Sequence, residues 1–407
     1  MRQTLLVVHR WAGLLGAAFL FLAGITGTVI AYEEELESWL NPGWFVVEPP
    51  RDASGNLRPM LDPFELREQV QRALPDYVVN LVRFNRKPDR SQVLFLRPRP
   101  GVEVANDQVF VDPYSGEILG MRKYGESLFK RQTAITFIYD LHHSLALPGA
   151  IGGWILGIVA IVWMFDSFIG LILTLPRGRP FMSKWSVAWK IKRNAAPLRL
   201  NMDLHRAFSL WLFVVLLLFA VSSVMLNLRQ EVFRPVMSTV FDFSPQFEAP
   251  RRAQPLDQPT LDYRAAAARG ERVLQALAQE KHFTVNYPDS VTYNRNGGFY
   301  IYLANTSRDI VRNRGQTAVY FDANSGAMLG WRIQTGEAAG DTISRWLQSL
   351  HMAQIWGWPY QLFVALIGLV VAMLSVTGVV IWWSKRRARV SATRRTRAAS
   401  QALPLAQ

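Results

Sequence analysis

Four stretches of the chain stay apolar for long enough to cross a bilayer, which takes about 20 residues. They are Leu5–Tyr32, Ala150–Leu175, Ala207–Leu228 and Tyr360–Trp383. Between them the pattern changes. Residues 33–135 and 229–345 contain short alternating runs such as "SQVLFLRP" (91–98) and "GGFYIYLAN" (297–305), the period of half-buried strands. Each set of runs follows a segment of helical periodicity, Pro63–Leu74 in the first and Tyr263–Gln279 in the second. The pattern predicts a membrane α-helical protein, a four-helix transmembrane bundle carrying two α+β domains outside the membrane. The first apolar run exceeds the ~7–15 residues of a signal-peptide core and lacks a convincing cleavage site, so it reads as a helix of the mature protein.

The two halves repeat each other. "FVDPYSGEILG" (110–120) matches "YFDANSGAMLG" (320–330), each a strand, a turn of Asp, Pro or Asn, Ser and Gly, and a second strand. "YDLHHSL" (139–145) matches "LQSLHMAQ" (347–354), and "HRWAGLLG" (9–16) matches "HRAFSLWL" (205–212). The repeated unit is helix, α+β domain, helix. It divides the chain into a first span (1–32), a first domain (33–135), a second span with its lead-in (136–175) and a basic link (176–204). A third span (205–228), a second domain (229–345), a fourth span with its lead-in (346–383) and a basic tail (384–407) complete it.

Charge orients these segments. The net charge is +14, and its excess sits at Arg2 and Arg10, along the link from Arg177 to Arg206, and in the tail from Lys385 through Arg394, Arg395 and Arg397. The positive-inside rule then puts both termini and the link in the cytoplasm and both domains outside the membrane on the other face. The basic surplus is a topology signal, and no nucleic-acid partner is expected; the lipid bilayer is the partner it indicates.

Five of the six histidines fall at the ends of spans. His9 and His205 lie at the cytoplasmic ends of the first and third, and His142, His143 and His351 at the outer ends of the second and fourth. His282 reads as a solvated surface residue. A neutral imidazole fills an axial position on haem iron, and a low-spin b-type haem takes two from opposite sides, which facing helices supply readily. One haem b between His9 and His205 and a second between His142 and His351 would carry electrons across the membrane. Arg10 and Arg206 would pair with haem propionates. Neighbouring helical residues point about 100° apart, so only one of His142 and His143 faces a given iron. Alignment on the preceding leucine selects His142; alignment on Gly170 and Gly378 selects His143. His142 is preferred, with His143 beside it as a supporting or propionate contact. Gly13, Gly16, Gly24, Gly27, Gly152, Gly153 and Gly157 would let helices approach or leave room for a flat macrocycle.

The competing readings are plainer. A histidine at a span end often only touches headgroups, and zinc or copper would need partners that no H-E-x-x-H spacing provides. Asp166, an acid inside the second span, is either functional or reaches to the interface. Met164 and Met352 are thioether ligands or packing. The chain has no cysteine, so disulfides, iron–sulfur clusters, thiolate nucleophiles and covalent C-x-x-C-H haem attachment are excluded. It also lacks a Walker motif, a G-x-G-x-x-G after a strand, and a convergent Ser/His/Asp set.

"HRWAGLLG", "HRAFSLWL", the two D-x-x-S-G-x-x-L-G turns and the "LHHSL"/"SLHMA" helix starts together resemble the PepSY-associated transmembrane family, also called iron-regulated membrane proteins. Within it the chain is most similar to inner-membrane ferric-siderophore reductases of the ferrioxamine type. The resemblance implies periplasmic domains, b-type haem in the membrane, and electron delivery to a ferric siderophore with release of Fe(II). The electron donor is then a separate cytoplasmic protein or a membrane quinol, because a link of about 30 residues is too short for a nucleotide-binding half. Two other readings stand beside it: a PepSY-type membrane-tethered binding or regulatory module without redox activity, and a transporter subunit. A parallel repeat with no broken pair of helices weighs against the transporter.

Overall fold

The computed structural model describes residues 1–99, 101–102 and 106–401, with side chains to residue 393. The last residues of the expected basic tail, 402–407, and the side chains of Arg394, Arg395 and Arg397 thus lie outside the described residues.

In chain order, α1 (Arg2–Ile30) is followed by α2 (Glu33–Leu40), the single turn α3 (Pro42–Phe45) and α4 (Pro63–Ala73). Strands β1 (Tyr77–Val79), β2 (Leu81–Arg83), β3 (Gln92–Pro98), β4 (Gln108–Val111) and β5 (Ile118–Arg122) come next, and α5 (Ala134–Ser144) leads into α6 (Ile151–Thr174). The second half holds α7 (Phe181–Ser186), α8 (Pro197–Trp211), α9 (Phe213–Asn227), α10 (Arg234–Met237) and α11 (Tyr263–Glu280). It ends with β6 (Val285–Asn294), β7 (Phe299–Thr306), β8 (Thr317–Asp322), β9 (Met328–Arg332), α12 (Ala339–His351) and α13 (Trp358–Gln401). These elements form two compact units. A helical unit contains Met1–Ala31, Leu141–Phe233 and the chain from Trp358; an α+β unit contains Tyr32–Asp140 and Arg234–Gly357.

The α+β unit has two antiparallel sheets, ordered β1-β3-β4-β5 and β2-β6-β7-β8-β9. Each has its own helix and core. Leu66 and Val70 of α4 pack on Val79, Leu94, Leu96, Val109 and Val111; Ala266, Leu274 and Leu277 of α11 pack on Tyr300, Tyr302, Val319 and Phe321. Both helices start at an aspartate whose carboxylate accepts from backbone N–H groups of the first turn, Asp62 from Phe64 and Glu65, Asp262 from Ala265. The repeated turns are alike atom for atom: Asp112 accepts from the amides of Tyr114 and Ser115, Asp322 from those of Asn324 and Ser325. Gly116 and Gly326 close them at φ +78° and +68°, a region glycine enters without steric cost. The two expected domains are not separate, however. β2 leaves the first sheet and pairs with β6 of the second, Val82 opposite Val291, burying Val82 in the second core.

In the helical unit, α1 packs against α13 and α6, α6 against α9, and α8 against α13. Backbones touch where α1 crosses α13: a Cβ on Gly24 would lie 2.5 Å from the carbonyl oxygen of Gly368. Thr28 Oγ1 shares its proton between the carbonyl of Gly24 on its own helix, at 2.9 Å, and that of Ala365 across the same contact, at 3.0 Å. This is the small-residue packing that lets membrane helices gain dispersion contacts without a hydrophobic driving force. By contrast, Gly13 has nothing within 4 Å of its Cβ position.

Among the described residues, three helices are long and apolar enough to span a bilayer: Arg2–Ile30, Ile151–Thr174 and Trp358–Thr393. The expected third span (205–228) is not one straight helix. It is the pair α8 and α9, bent by 73°, so the count is four only if that pair is one broken span. α8 carries Arg199, Asp203 and Arg206, whereas α9 is apolar. Ser209 Oγ also donates to the carbonyl of His205 at 2.7 Å, a back-bond that favours bending, one turn before the break. The broken pair removes the argument that its absence made against a transporter.

Replacing Gly24 by leucine should cost about 1–3 kcal/mol through overpacking and lower the unfolding midpoint in detergent, while Gly13→Leu leaves the midpoint unchanged. Equal midpoints for the two variants would show that the Gly24 contact does not hold α1 to α13.

Candidate functional site

The helical unit brings His9 of α1 and His205 of α8 together, with ring centroids 6.3 Å apart and planes at 65°. Each imidazole has its Nδ1 held. His9 Nδ1 lies 3.0 and 2.9 Å from the two carboxylate oxygens of Asp166 on α6. A carboxylate only accepts, so the proton is on Nδ1 of His9. His205 Nδ1 lies 2.9 Å from Thr377 Oγ1 on α13. That hydroxyl gives its proton to the carbonyl of Leu374 at 3.0 Å and therefore accepts from His205.

His142 of α5 repeats the arrangement. Its Nδ1 is 3.0 Å from Thr26 Oγ1, and Thr26 donates to the carbonyl of Leu22 at 2.7 Å. In all three rings Nδ1 is the nitrogen engaged by an oxygen of a neighbouring helix. A glycine lies against each ring. Cβ atoms built on Gly170, Gly378 and Gly27 would stand 3.5, 3.4 and 3.0 Å from Cε1 of His9, His205 and His142. Thr26-Gly27 and Thr377-Gly378 are one arrangement used twice: the hydroxyl takes the ring N–H and the next residue is a glycine against the ring. On α1, positions 9 and 27 are about 27 Å apart along the axis, so the two levels are separated by nearly a hydrocarbon thickness.

The other candidates are placed unequally. His143 is exposed on α5, whereas His142 packs against α1. His351 closes α12 in the α+β unit, so its pairing with His142 rests on the repeat, and Met352 next to it accepts from Gln348 and Gln354. Arg10 is half-buried beside His9. Arg206 is committed elsewhere, to Asp203 at 2.9 Å and the carbonyl of Val187 at 2.8 Å. Asp166 does not reach for the interface; it holds His9. His282 sits in a turn at φ +54°. Sequence reasoning missed Thr26 and Thr377, for which the repeated Thr-Gly pair was the available signal.

Apolar helices joined to an α+β unit, with histidines packed between the helices, define a membrane protein. The chain belongs to the family described as the PepSY-associated TM region, whose model matches residues 6–385. No curated protein matches the chain.

Titratable side chains also gather in the α+β unit at the start of α2. Arg122 donates to both oxygens of Glu37 at 2.5 and 3.1 Å, and both residues are buried. Beside them, burial and then the charge of Glu37 push the Glu33 carboxyl up to about 7, against the opposing pull of Arg122 and Arg314. The rings of Tyr124 and Tyr139 meet edge-on at 6.2 Å in the same region.

A carboxyl raised from 4.5 to about 7 keeps its proton in the folded chain after the unfolded chain has lost it. Stability should therefore decline as pH rises from about 4.5 to 7. In unfolding midpoints measured across that window, Glu33→Gln should flatten the decline; parallel curves for wild type and variant would refute the assignment.

Proposed function

We propose that the protein is a di-haem b-type oxidoreductase of the bacterial inner membrane. It carries electrons outward to reduce a periplasmic ferric siderophore and release Fe(II). The observation that carries this reading is the paired imidazoles of His9 and His205, each held at Nδ1 by an oxygen of a neighbouring helix. Two imidazoles sharing one metal ion at about 2 Å from each nitrogen have ring centroids on the order of 6 Å apart, and the observed spacing is 6.3 Å. The residues present therefore fit the group. Haem held between neutral imidazoles supplies one-electron transfer between Fe(III) and Fe(II).

His9 and His205 would hold the cytoplasmic-side haem, and His142 and His351 the outer one. The repeat supports His351: Ser222 of α9 stands where α1 has Thr26, and its hydroxyl likewise donates to its own helix, at Phe219. Gly27 leaves room for the ring of His142, where a Cβ would stand 3.0 Å from Cε1. Arg10 remains the candidate for a propionate, whereas Arg206 is already engaged by Asp203. One electron reaching a siderophore-bound Fe(III) gives Fe(II), a softer ion that oxygen donors hold less firmly. The donor is a membrane quinol or a separate cytoplasmic protein. A transporter subunit is the second reading, favoured by the bend between α8 and α9. The corresponding α1 runs unbroken from Arg2 to Ile30, so the break is not shared by the two halves.

The test is the absorption spectrum of the detergent-purified protein, oxidised and dithionite-reduced. A Soret band with sharp reduced bands should appear and fall by about half in each of His9→Ala, His205→Ala, His142→Ala and His351→Ala. A colourless wild type, even with haem supplied during expression, would overturn the reading. One iron per chain would leave the first haem and remove the second.

A further inference from the structure

Asp166 is an acid inside a membrane span, its side chain 13% exposed. Among the described residues, its polar partner is His9 alone. An ionisable group in hydrocarbon is costly and calls for a specific return. Fixing the tautomer is not that return, because neutral hydroxyls do so for the other two rings: Thr377 for His205 and Thr26 for His142. The second half shows what the first could have used. Thr377 directly precedes Gly378, whereas Ile169 precedes Gly170, and the acceptor for His9 has moved one turn back to become a carboxylate. What Asp166 puts in place of a hydroxyl is a carboxylate, its two oxygens 3.0 and 2.9 Å from Nδ1 of His9.

We propose that Asp166 holds the His9–His205 haem at a lower reduction potential than the outer haem, which biases electrons outward across the membrane. The inference rests on the haem reading above. As a positioning residue acting through His9, Asp166 makes the ring a more basic ligand by accepting its Nδ1–H bond with a charged oxygen. A more basic, more anionic ligand favours Fe(III) over Fe(II), and a nearby negative charge favours the same state, so the two effects act in one direction. His205 and His142, with hydroxyl partners, receive neither. With Asp166 and His9 favouring the oxidised state on the cytoplasmic side, an electron supplied there by a quinol or a protein donor would pass outward downhill.

The experiment is an optically followed redox titration of the purified full-length protein, with wild type, Asp166→Asn, Asp166→Glu and His205→Ala compared. Asparagine keeps an oxygen acceptor and the shape while removing the charge. The expected result is that Asp166→Asn raises one of two midpoints, the lower, by about a tenfold change in the ratio of reduced to oxidised haem at fixed potential, or about 59 mV for one electron. The other midpoint stays put and Asp166→Glu restores the first. Retained haem with both midpoints unchanged would overturn the proposal. His205→Ala provides a check that does not depend on how the Asp166 variants fold: it should abolish the lower midpoint, and loss of the higher one instead would also overturn the proposal. A wild type without haem would overturn the haem reading itself, an outcome distinct from either.

Discussion

A neutral imidazole between membrane helices has one N–H to satisfy and one lone pair to offer, and no water beside it to do the satisfying. Leaving a buried donor unpaired costs several times what an ordinary hydrogen bond contributes. The helical unit answers this constraint three times, and the answers set its packing. For Thr26 and Thr377 to accept from a ring, each must first give its own proton to its helix backbone, which points the hydroxyl lone pairs toward the neighbouring helix. The ring packs against the glycine that follows: a Cβ on Gly27 would crowd Cε1 of His142 at 3.0 Å, and one on Gly378 would lie in ordinary contact with Cε1 of His205 at 3.4 Å.

The duplication turns one such solution into a layered one. Within each half, a histidine near the start of the first helix meets a glycine on the second: His9 with Gly170, His205 with Gly378. The two halves then meet where His9 and His205 face each other. In the α+β unit the same duplication gives two sheets whose Asp-Ser-Gly turns and aspartate caps agree closely. There the halves are tied by exchange of a strand, β2 pairing with β6, and by Arg264 donating to the Asp62 cap of the other repeat at 2.8 Å. The exposed ion pair contributes little; burial of Val82 in the second core is the stronger tie.

Much of this was legible in the chain because it rests on local signals. Apolar runs located α1, α6 and α13; periodicity located α4 and α11 to within a residue or two; and the turn residues at 112–116 and 322–326 located both hairpins. The repeat also marked His9 and His205, the two histidines that meet. What was not legible is long-range or too short to carry a pattern. β2 is three residues, Leu81–Arg83, and nothing in them says which sheet they join. Asp166 and His9 are 157 positions apart, and an isolated acid in an apolar run does not name its partner. Thr26 and Thr377 resemble ordinary packing residues until the ring nitrogens are in place. The break after Trp211 has no proline or glycine at it, so no local signal announced it.

That break is tied to the histidine it follows. Asp203, 1% exposed on α8, is bound by Arg199 and Arg206, and its carboxylate also accepts from the amide of Lys192 in the basic link. A buried acid so paired is weak evidence for stability but strong evidence for position, because losing one partner leaves a charge uncompensated. The cluster fixes α8 against the link through Arg206 and the carbonyl of Val187, while Asn201 donates to the carbonyl of Thr377, the residue that also receives His205. α8 is therefore anchored at both sides of the histidine by polar groups that a straight apolar span cannot carry. The chain keeps α8 polar enough to hold His205 and α9 apolar enough to pack on α6, and the 73° bend is where those two requirements meet.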